Sequence, residues 1–204
     1  MEKKMTICYP IGNKLYMNIT NKCPCNCTFC IRHNGDSAYG SESLWLEHEP
    51  SFDEIMNDVK KYKLSDYEEI IFCGYGEPTC RLDVLIRTAK AMKEINACPP
   101  LRLNTNGLSD LINNKPTSEI LSEVFDTISI SLNAGTEDEY MKVTRPKYSN
   151  AFEAMQKFAN DCVNTGNTKT VMTVVDVIPE EQIKASEEIC RKTGAKFRVR
   201  AYDC

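Results

Sequence analysis

Three cysteines, Cys23, Cys27 and Cys30, stand on one short stretch, Cys23-Pro24-Cys25-Asn26-Cys27-Thr28-Phe29-Cys30. It follows directly on the β-like run Leu15-Tyr16-Met17-Asn18-Ile19-Thr20. Three thiolates from one loop can hold three irons of a [4Fe–4S] cube and leave the fourth iron without a protein ligand. A cluster that only passes electrons normally has four cysteines. An open corner can instead chelate a substrate, as a catalytic metal keeps a free coordination position. Cys25 adds a fourth thiol to the same stretch, so zinc is an alternative. Thiolates this crowded would need a ligand from elsewhere to complete a tetrahedron, and no second Cys-x2-Cys or His pair supplies one. Inert thiols are the remaining reading, and a disulfide is the least expected. Cys25 reads as a spare thiol or as a substitute for Cys23.

The elements around this loop alternate. The pattern predicts strands over 15–20, 69–73, 101–106, 127–133, 170–176 and 196–200. Between them it predicts helices: from the capping box Ser51-Phe52-Asp53-Glu54 to about 62, over 81–95, near 117–124, from Asn150 to Gly166, and from Pro179 to Gly194. Strand alternating with helix means a parallel sheet of right-handed βαβ units. Residues 31–50 carry no period but contain His33, Tyr39, Trp45 and His48. A long connection of this kind inside a compact domain is usually functional or mobile, so it is the expected substrate loop.

Helix-covered parallel strands usually read as unbroken apolar runs. Here one face is apolar (Leu15, Met17, Ile19; Leu101, Leu103; Ile128, Ile130, Leu132; Phe197, Val199) and the other polar. The polar set is Tyr16, Asn18; Arg102, Asn104, Asn106; Ser129, Ser131, Asn133; Arg198, Arg200. Side chains alternate across a sheet, so each set shares one side. Strand 170–176 fits in part, with Thr173 on one face and Asp176 falling beside Met172 and Val174. An α/β fold that curves into an incompletely closed barrel, helices outside and a polar lumen within, satisfies this pattern. A closed eight-stranded barrel would fill its interior with bulky apolar side chains. A flat doubly wound sheet would leave Arg102 and Arg198 without a purpose.

At 204 residues with 42% hydrophobic content, one domain over 1–204 is expected. The opening Met1-Glu2-Lys3-Lys4-Met5-Thr6 lacks the apolar run of a secretory leader. No stretch approaches the ~18 apolar residues of a membrane span. A net charge of −4, with both signs mixed, argues against a general nucleic-acid or anionic-membrane surface. Eleven cysteines at irregular spacing read as reduced thiols of a cytoplasmic protein.

The loop spacing, with an aromatic residue just before the third cysteine, resembles the radical S-adenosylmethionine (SAM) superfamily. The resemblance implies a partial (β/α)6 barrel of six parallel strands, with the cluster loop at 20–31. It implies a [4Fe–4S] cluster on Cys23, Cys27 and Cys30, and SAM as the second cofactor. Gly74-Tyr75-Gly76-Glu77-Pro78 occupies the place of the family's Gly-Gly-Glu-Pro motif, whose backbone hydrogen-bonds the SAM ammonium; Tyr75 departs from the pattern. Asn104 and Asn106, with Ser129, Ser131 and Asn133, lie at strand ends where family members contact the carboxylate and ribose. Phe29 would support the adenine. Tyr16, Asn18, His33, Trp45, Arg145, Asp176, Arg198, Arg200 and Tyr202 remain as substrate candidates, Arg145, Arg198 and Arg200 also as candidates for the SAM carboxylate.

The runs Asn18–Cys23, Cys30–Asn34, Phe72–Pro78, Asn104–Gly107, Ser129–Ala134 and Phe197–Arg200 look like the small TatD-nuclease-associated group within that superfamily. The implied activity is reductive cleavage of SAM to a 5′-deoxyadenosyl radical, which abstracts hydrogen from a small-molecule or nucleotide substrate in an oxygen-sensitive, oxidoreductase- or lyase-like reaction. An activase for a partner protein is the alternative within radical chemistry; a non-catalytic Fe–S or zinc module is the alternative outside it. Expected partners are an electron donor such as flavodoxin or ferredoxin and, by association, a TatD-type nuclease, with no membrane.

Overall fold

The computed structural model describes residues 2–202. Seven strands form one sheet in sequence order, β1 (Cys8–Ile11), β2 (Lys14–Met17), β3 (Glu69–Phe72), β4 (Leu101–Thr105), β5 (Thr127–Ser131), β6 (Lys169–Val175) and β7 (Lys196–Arg200). β2 to β7 pair in parallel, as the alternation predicts. β1 pairs with β2 in antiparallel fashion through a turn at Gly12, whose φ of 57° suits a residue without a Cβ. The sequence reading omitted this strand. Pro10 demotes its run, and a proline is tolerated there because β1 is an edge.

The helices α1 (Phe52–Val59), α2 (Leu82–Lys93), α3 (Ser109–Asn113), α4 (Ser118–Val124), α5 (Glu137–Thr144), α6 (Ala151–Thr165) and α7 (Glu180–Thr193) occupy the connections. α2 shows why they lie where they do. Leu82, Leu85, Ile86, Ala89 and Met92 recur at helical spacing and are buried, while Asp83, Arg87 and Lys90 face water. α6 and α7 each end on a glycine in the left-handed region, Gly166 and Gly194. α3 and α5 are short and polar, and their periodicity is too weak to have been read in advance.

The main core joins these helices to one face of the sheet. It includes Leu15, Met17, Ile70, Phe72, Leu101, Leu103, Ile128, Ile130, Met172 and Val174. The register places the opposite set together: Tyr16 beside Ile71, Ile71 beside Arg102, Asn104 beside Ser129, and Ser131 beside Thr173, itself beside Arg198. This is the polar lumen face, with one amendment. Ile71, Val171 and Val175 also lie on it, so the lumen is mixed rather than uniformly polar. Among the described residues no helix is long and apolar enough to cross a membrane.

The capping box at the start of α1 is formed in full, with Ser51 Oγ accepting from Glu54 N and the Glu54 carboxylate accepting from Ser51 N. The backbone bond from Ser51, then its hydroxyl, then His48 at 2.8 Å hold the Glu54 carboxyl down at about 2, against an ordinary 4.5. A depressed folded-state value means stability that is present above pH 4.5 and lost as pH falls towards 2. Urea midpoints of wild type and Glu54→Gln should therefore differ by a constant amount from pH 7 to 5 and converge by about pH 2. A gap that persists unchanged at pH 2 would contradict this account of the cap.

Candidate functional site

The cysteine loop leaves β2 at the carboxyl end of the sheet and is braced along its length. Glu77 N donates to Lys22 O at 2.8 Å, and Lys147 N to Pro24 O at 3.0 Å. Asn26 N donates to Thr144 O at 3.0 Å and Thr28 N to Val143 O at 2.8 Å. Cys25 and Pro146 form an isolated bridge. One side of the loop thus rests on the turn after β3, and another on the segment that leaves α5. Gly76 permits the first contact: a Cβ there would stand 2.2 Å from Thr20 O and 2.8 Å from Lys22 O, both backbone atoms.

Cys23, Cys27 and Cys30 are half-buried, whereas Cys25 is buried in the main core. The Cys25 thiol hydrogen-bonds Cys23, which lowers the Cys23 pKa and raises that of Cys25. Burial pushes Cys27 up to about 12, assisted by Cys23 and Cys30. Arg32 Nε donates to Cys30 Sγ at 3.3 Å, and its Nη2 to Cys25 O at the same distance. Among the described residues no three Cys, His, Asp or Glu side chains converge as ligands of a single ion. A cube takes one thiolate per iron, so its ligands need not converge. Three half-buried thiols on a braced loop, with the fourth turned into the core, fit a group that takes three protein ligands.

Glu77 is the joint of the site. Its carboxylate is buried and accepts from Thr79 N (3.1 Å), Thr79 Oγ1 (2.7 Å), Thr105 Oγ1 (2.8 Å) and Asn106 N (2.7 Å). Burial pushes its carboxyl above the ordinary range, opposed by these bonds. Its side chain is therefore a brace, and only its backbone is left for a ligand. Asn106 is also engaged: Oδ1 accepts from Leu108 N at 2.9 Å, and Nδ2 lies 3.7 Å from Cys25 Sγ.

Of the other sequence candidates, Asn104 hydrogen-bonds the Cys73 thiol on the lumen side. Ser129 and Asn133 are buried and Ser131 half-buried; Asn133 adopts φ 64°. Phe29 is half-buried on the loop. Gly74 lies against Asn18, since a Cβ there would meet Asn18 Oδ1 at 2.1 Å. Asn18 Nδ2 donates to Leu44 O at 2.8 Å and Thr6 O at 3.3 Å. Asn18 thus anchors the 31–50 segment to the sheet.

That segment is folded against the lumen face beside β1 and β2. Leu44 is fully buried with Tyr9 and Tyr75, and Tyr16, Ile31 and Trp45 pack around them. Trp45 meets Tyr75 edge-on at 5.1 Å, and Arg32 stands over the Trp45 ring at 5.9 Å. Tyr75, the residue that departs from the family motif, donates through its hydroxyl to Gly35 O at 2.9 Å. It closes the loop over the turn, which a glycine could not do. His48 is outside this cluster, paired with Glu54, and His33 is exposed just after Cys30.

At the far edge, β7 is exposed, Val199 by 43%. Arg198 and Arg200 point to the lumen side of the register. Asp176 Oδ1 accepts from Tyr202 N at 2.9 Å, and the Tyr202 hydroxyl meets Asn34 Nδ2 at 3.2 Å. Asp176 and Tyr202 so tie the end of β7 to the turn after Cys30. Arg145 is exposed at the end of α5, in the left-handed region at φ 45°. Sequence reasoning missed the lumen-floor pair Arg102–Glu69, at 2.9 Å with both side chains 15% exposed. Opposite charges on neighbouring strands were the available signal.

Two predictions follow from the braces. Glu77→Gln would set an amide N–H against the N–H of Thr79 or Asn106, at a cost of about 2–4 kcal/mol; the urea midpoint of the metal-free protein reads it. Leu44→Ala should cost about 2–4 kcal/mol by leaving a cavity. Glu42→Gln at the tip, which loosens an exposed ion pair with Lys4, should cost clearly less. Equal costs for Leu44 and the tip would refute the division of this segment into anchor and tip.

The family model described as the Radical SAM superfamily matches residues 17–190. Among solved structures, Streptococcus suis SuiB bound to precursor peptide SuiA superposes with a TM-score of 0.70 at 19% identity, over 94% of this chain and 39% of that one. SuiB bound to S-adenosylmethionine gives 0.62 at 20%, over 92% and 38%. The FeFe-hydrogenase maturase HydG from Carboxydothermus hydrogenoformans gives 0.66 at 16%, over 94% and 44%. The chain thus spans about two fifths of the length of these structures, and at these identities the likeness is one of fold. No curated protein matches it. Members of the matched family are enzymes that use a [4Fe–4S] cluster and S-adenosylmethionine for radical chemistry, and the partial barrel described above is their fold. On a match that covers most of its length, this chain belongs to the Radical SAM superfamily.

Proposed function

We propose that the protein cleaves SAM at a cluster held by Cys23, Cys27 and Cys30 and directs the resulting radical at a small molecule or nucleotide in the lumen. The observation that carries this reading is the braced three-thiol loop standing at the mouth of a half-buried polar lumen. When bound, the cluster supplies the electron that splits SAM into methionine and a 5′-deoxyadenosyl radical able to take a hydrogen atom. The chain's part is placement. Backbone groups of Gly74, Tyr75, Gly76 and Glu77 would receive the SAM ammonium. Asn104, Ser129, Ser131 and Asn133 would face its carboxylate and ribose, Asn106 helping through its backbone and its hold on Cys25. Phe29 would lie along the adenine.

Tyr16, Arg198 and Arg200 are the side chains left for the substrate on the lumen face, with His33 and Tyr202 at its rim. Burial pushes the Tyr16 hydroxyl up to about 12, so it enters as a neutral donor. Asn18, Trp45 and Asp176 act on the substrate by holding the walls that enclose it. The aromatic packing under the 31–50 segment excludes water from one side of the lumen, which protects a reactive intermediate. The exposed β7 edge favours a second reading, an activase that acts on a segment of another protein through the open side. SuiB, bound to a precursor peptide, is a structural relative whose own partner is a peptide. The resemblance to the TatD-associated group rests on the sequence motifs and adds a working link to such a nuclease, testable by co-purification.

Anaerobic reconstitution with iron and sulfide, followed by dithionite and SAM, tests the reading through 5′-deoxyadenosine measured by mass spectrometry. Wild type and Cys25→Ala should form it; Cys23→Ala, Cys27→Ala and Cys30→Ala should fall by at least about a hundredfold, the upper end of what losing a mere outer-shell partner of a metal site costs. A fully loaded wild-type cluster that yields none would sink the catalytic reading and leave a binding module.

A further inference from the structure

We infer that Arg32 is the fixed counter-charge of the cluster and, acting through the Cys30 thiolate, raises the potential at which it is reduced. The inference rests on the ligand set proposed above and adds to that site a positioning residue that the sequence motifs did not single out. Arg32 Nε donates to Cys30 Sγ at 3.3 Å, and Nη2 donates to Cys25 O at 3.3 Å. The guanidinium stands over the Trp45 ring at 5.9 Å, and Trp45 in turn meets Tyr75 edge-on at 5.1 Å. One cation is thus held between a thiol, a carbonyl of the cysteine loop and an aromatic face.

The local chain explains how an arginine two residues beyond a cysteine returns to it. Cys30 precedes a single tight turn, Ile31–His33, in which His33 N donates to Cys30 O at 2.9 Å and Asn34 N to Ile31 O at 3.0 Å. Ile31 packs against Tyr9, Leu44 and Tyr75, and Arg32 is half-buried beside the loop. A guanidinium carries several donors in one rigid plane. One side chain therefore reaches the thiol and the Cys25 carbonyl together, which a lysine could not do.

A guanidinium drawn out of water wants an anion beside it. The half-buried Arg81 and Arg102 have theirs in Glu49 and Glu69. Arg32 forms no ion pair with a carboxylate among the described residues; the groups its charge meets are the sulfurs of Cys30, Cys23 and Cys27. Metal ligation takes the thiolate, so the matching anion arrives with the cluster. Reduction then adds one electron from an external one-electron reductant and moves no proton, since the guanidinium keeps its own. The added negative charge spreads over the cube and its thiolates. A charged donor on one of those sulfurs favours the reduced form over the oxidised one.

The test reads a potential rather than a rate. Anaerobically reconstituted wild type, Arg32→Gln and Arg32→Lys, matched for iron content, are titrated with dithionite and followed by the EPR signal of the reduced cluster. At any fixed potential Arg32→Gln should lower the ratio of reduced to oxidised cluster about tenfold, the worth of one charge-assisted bond. For a one-electron couple that is a midpoint lower by about 59 mV. Arg32→Lys keeps the charge and should recover most of the ratio. Trp45→Leu removes the face beneath the guanidinium and should lower the ratio about threefold. Equal midpoints in wild type and Arg32→Gln would overturn the inference. So would an Arg32→Lys midpoint as low as that of Arg32→Gln, which would reduce Arg32 to a staple of the loop. An unchanged midpoint with weakened SAM binding would also overturn it and make Arg32 a SAM contact. Should Arg32→Gln take up no iron, a Trp45→Leu midpoint equal to wild type would decide against the inference. Wild type that holds a cluster but forms no 5′-deoxyadenosine would instead strike the reading beneath it, while the midpoints would still report on Arg32.

Discussion

The Glu77 carboxylate and backbone connect three pieces of chain that are far apart in sequence. Oε1 gathers Thr79 and Thr105, Oε2 takes Asn106 N, and the Glu77 N–H reaches the cysteine loop at Lys22. Through Asn106 the tie extends to the Cys25 sulfur. A buried carboxylate is tolerable only when donors surround it, and here the donors belong to the turn after β3 and the end of β4. Satisfying this one buried carboxylate therefore helps to fix the cysteine loop against the end of β4. The Glu77 side chain is thereby committed to donors of the protein itself.

The lumen is closed unequally. Beside β1 and β2 the 31–50 segment lays Leu44 and Trp45 over Tyr9, Tyr16 and Tyr75, and Asn18 and Asn21 clamp it by its backbone at Leu44 and Leu46. Beside β7, among the described residues, the Tyr202–Asn34 contact reaches across to the turn after Cys30. At the floor Arg102 stands 2.9 Å from Glu69, which Lys14 also approaches at 3.9 Å.

The alternating sheet, its two faces and the cysteine triad were legible because each depends on spacing along one element: period two in the strands, fixed gaps in the loop. β1 was not, because Pro10 argues against a strand that is viable only as an edge. Nor were the structural partners of Asn18, Asp176 or Glu77. Each is a polar residue whose partner is backbone far away in sequence, at Leu44, Tyr202 and Asn106, and a linear reading offers no way to choose between a ligand and a distant backbone group. Tyr75 was read as a departure from a motif. It is a second anchor, and its meaning emerges only once Gly35 is seen beneath its hydroxyl.

These contacts divide the cysteine loop between two tasks. Its inner side must be rigid, since a ligand fixed by backbone groups tolerates little movement, and the bonds from Glu77 and Asn106 supply that. Its outer side is held through the backbone of 143–147, while the side chains of Asn26, Thr28 and Arg145 stand exposed. Rigidity on one side and freedom on the other come from one arrangement, in which main-chain bonds hold the loop and leave the outward side chains in water.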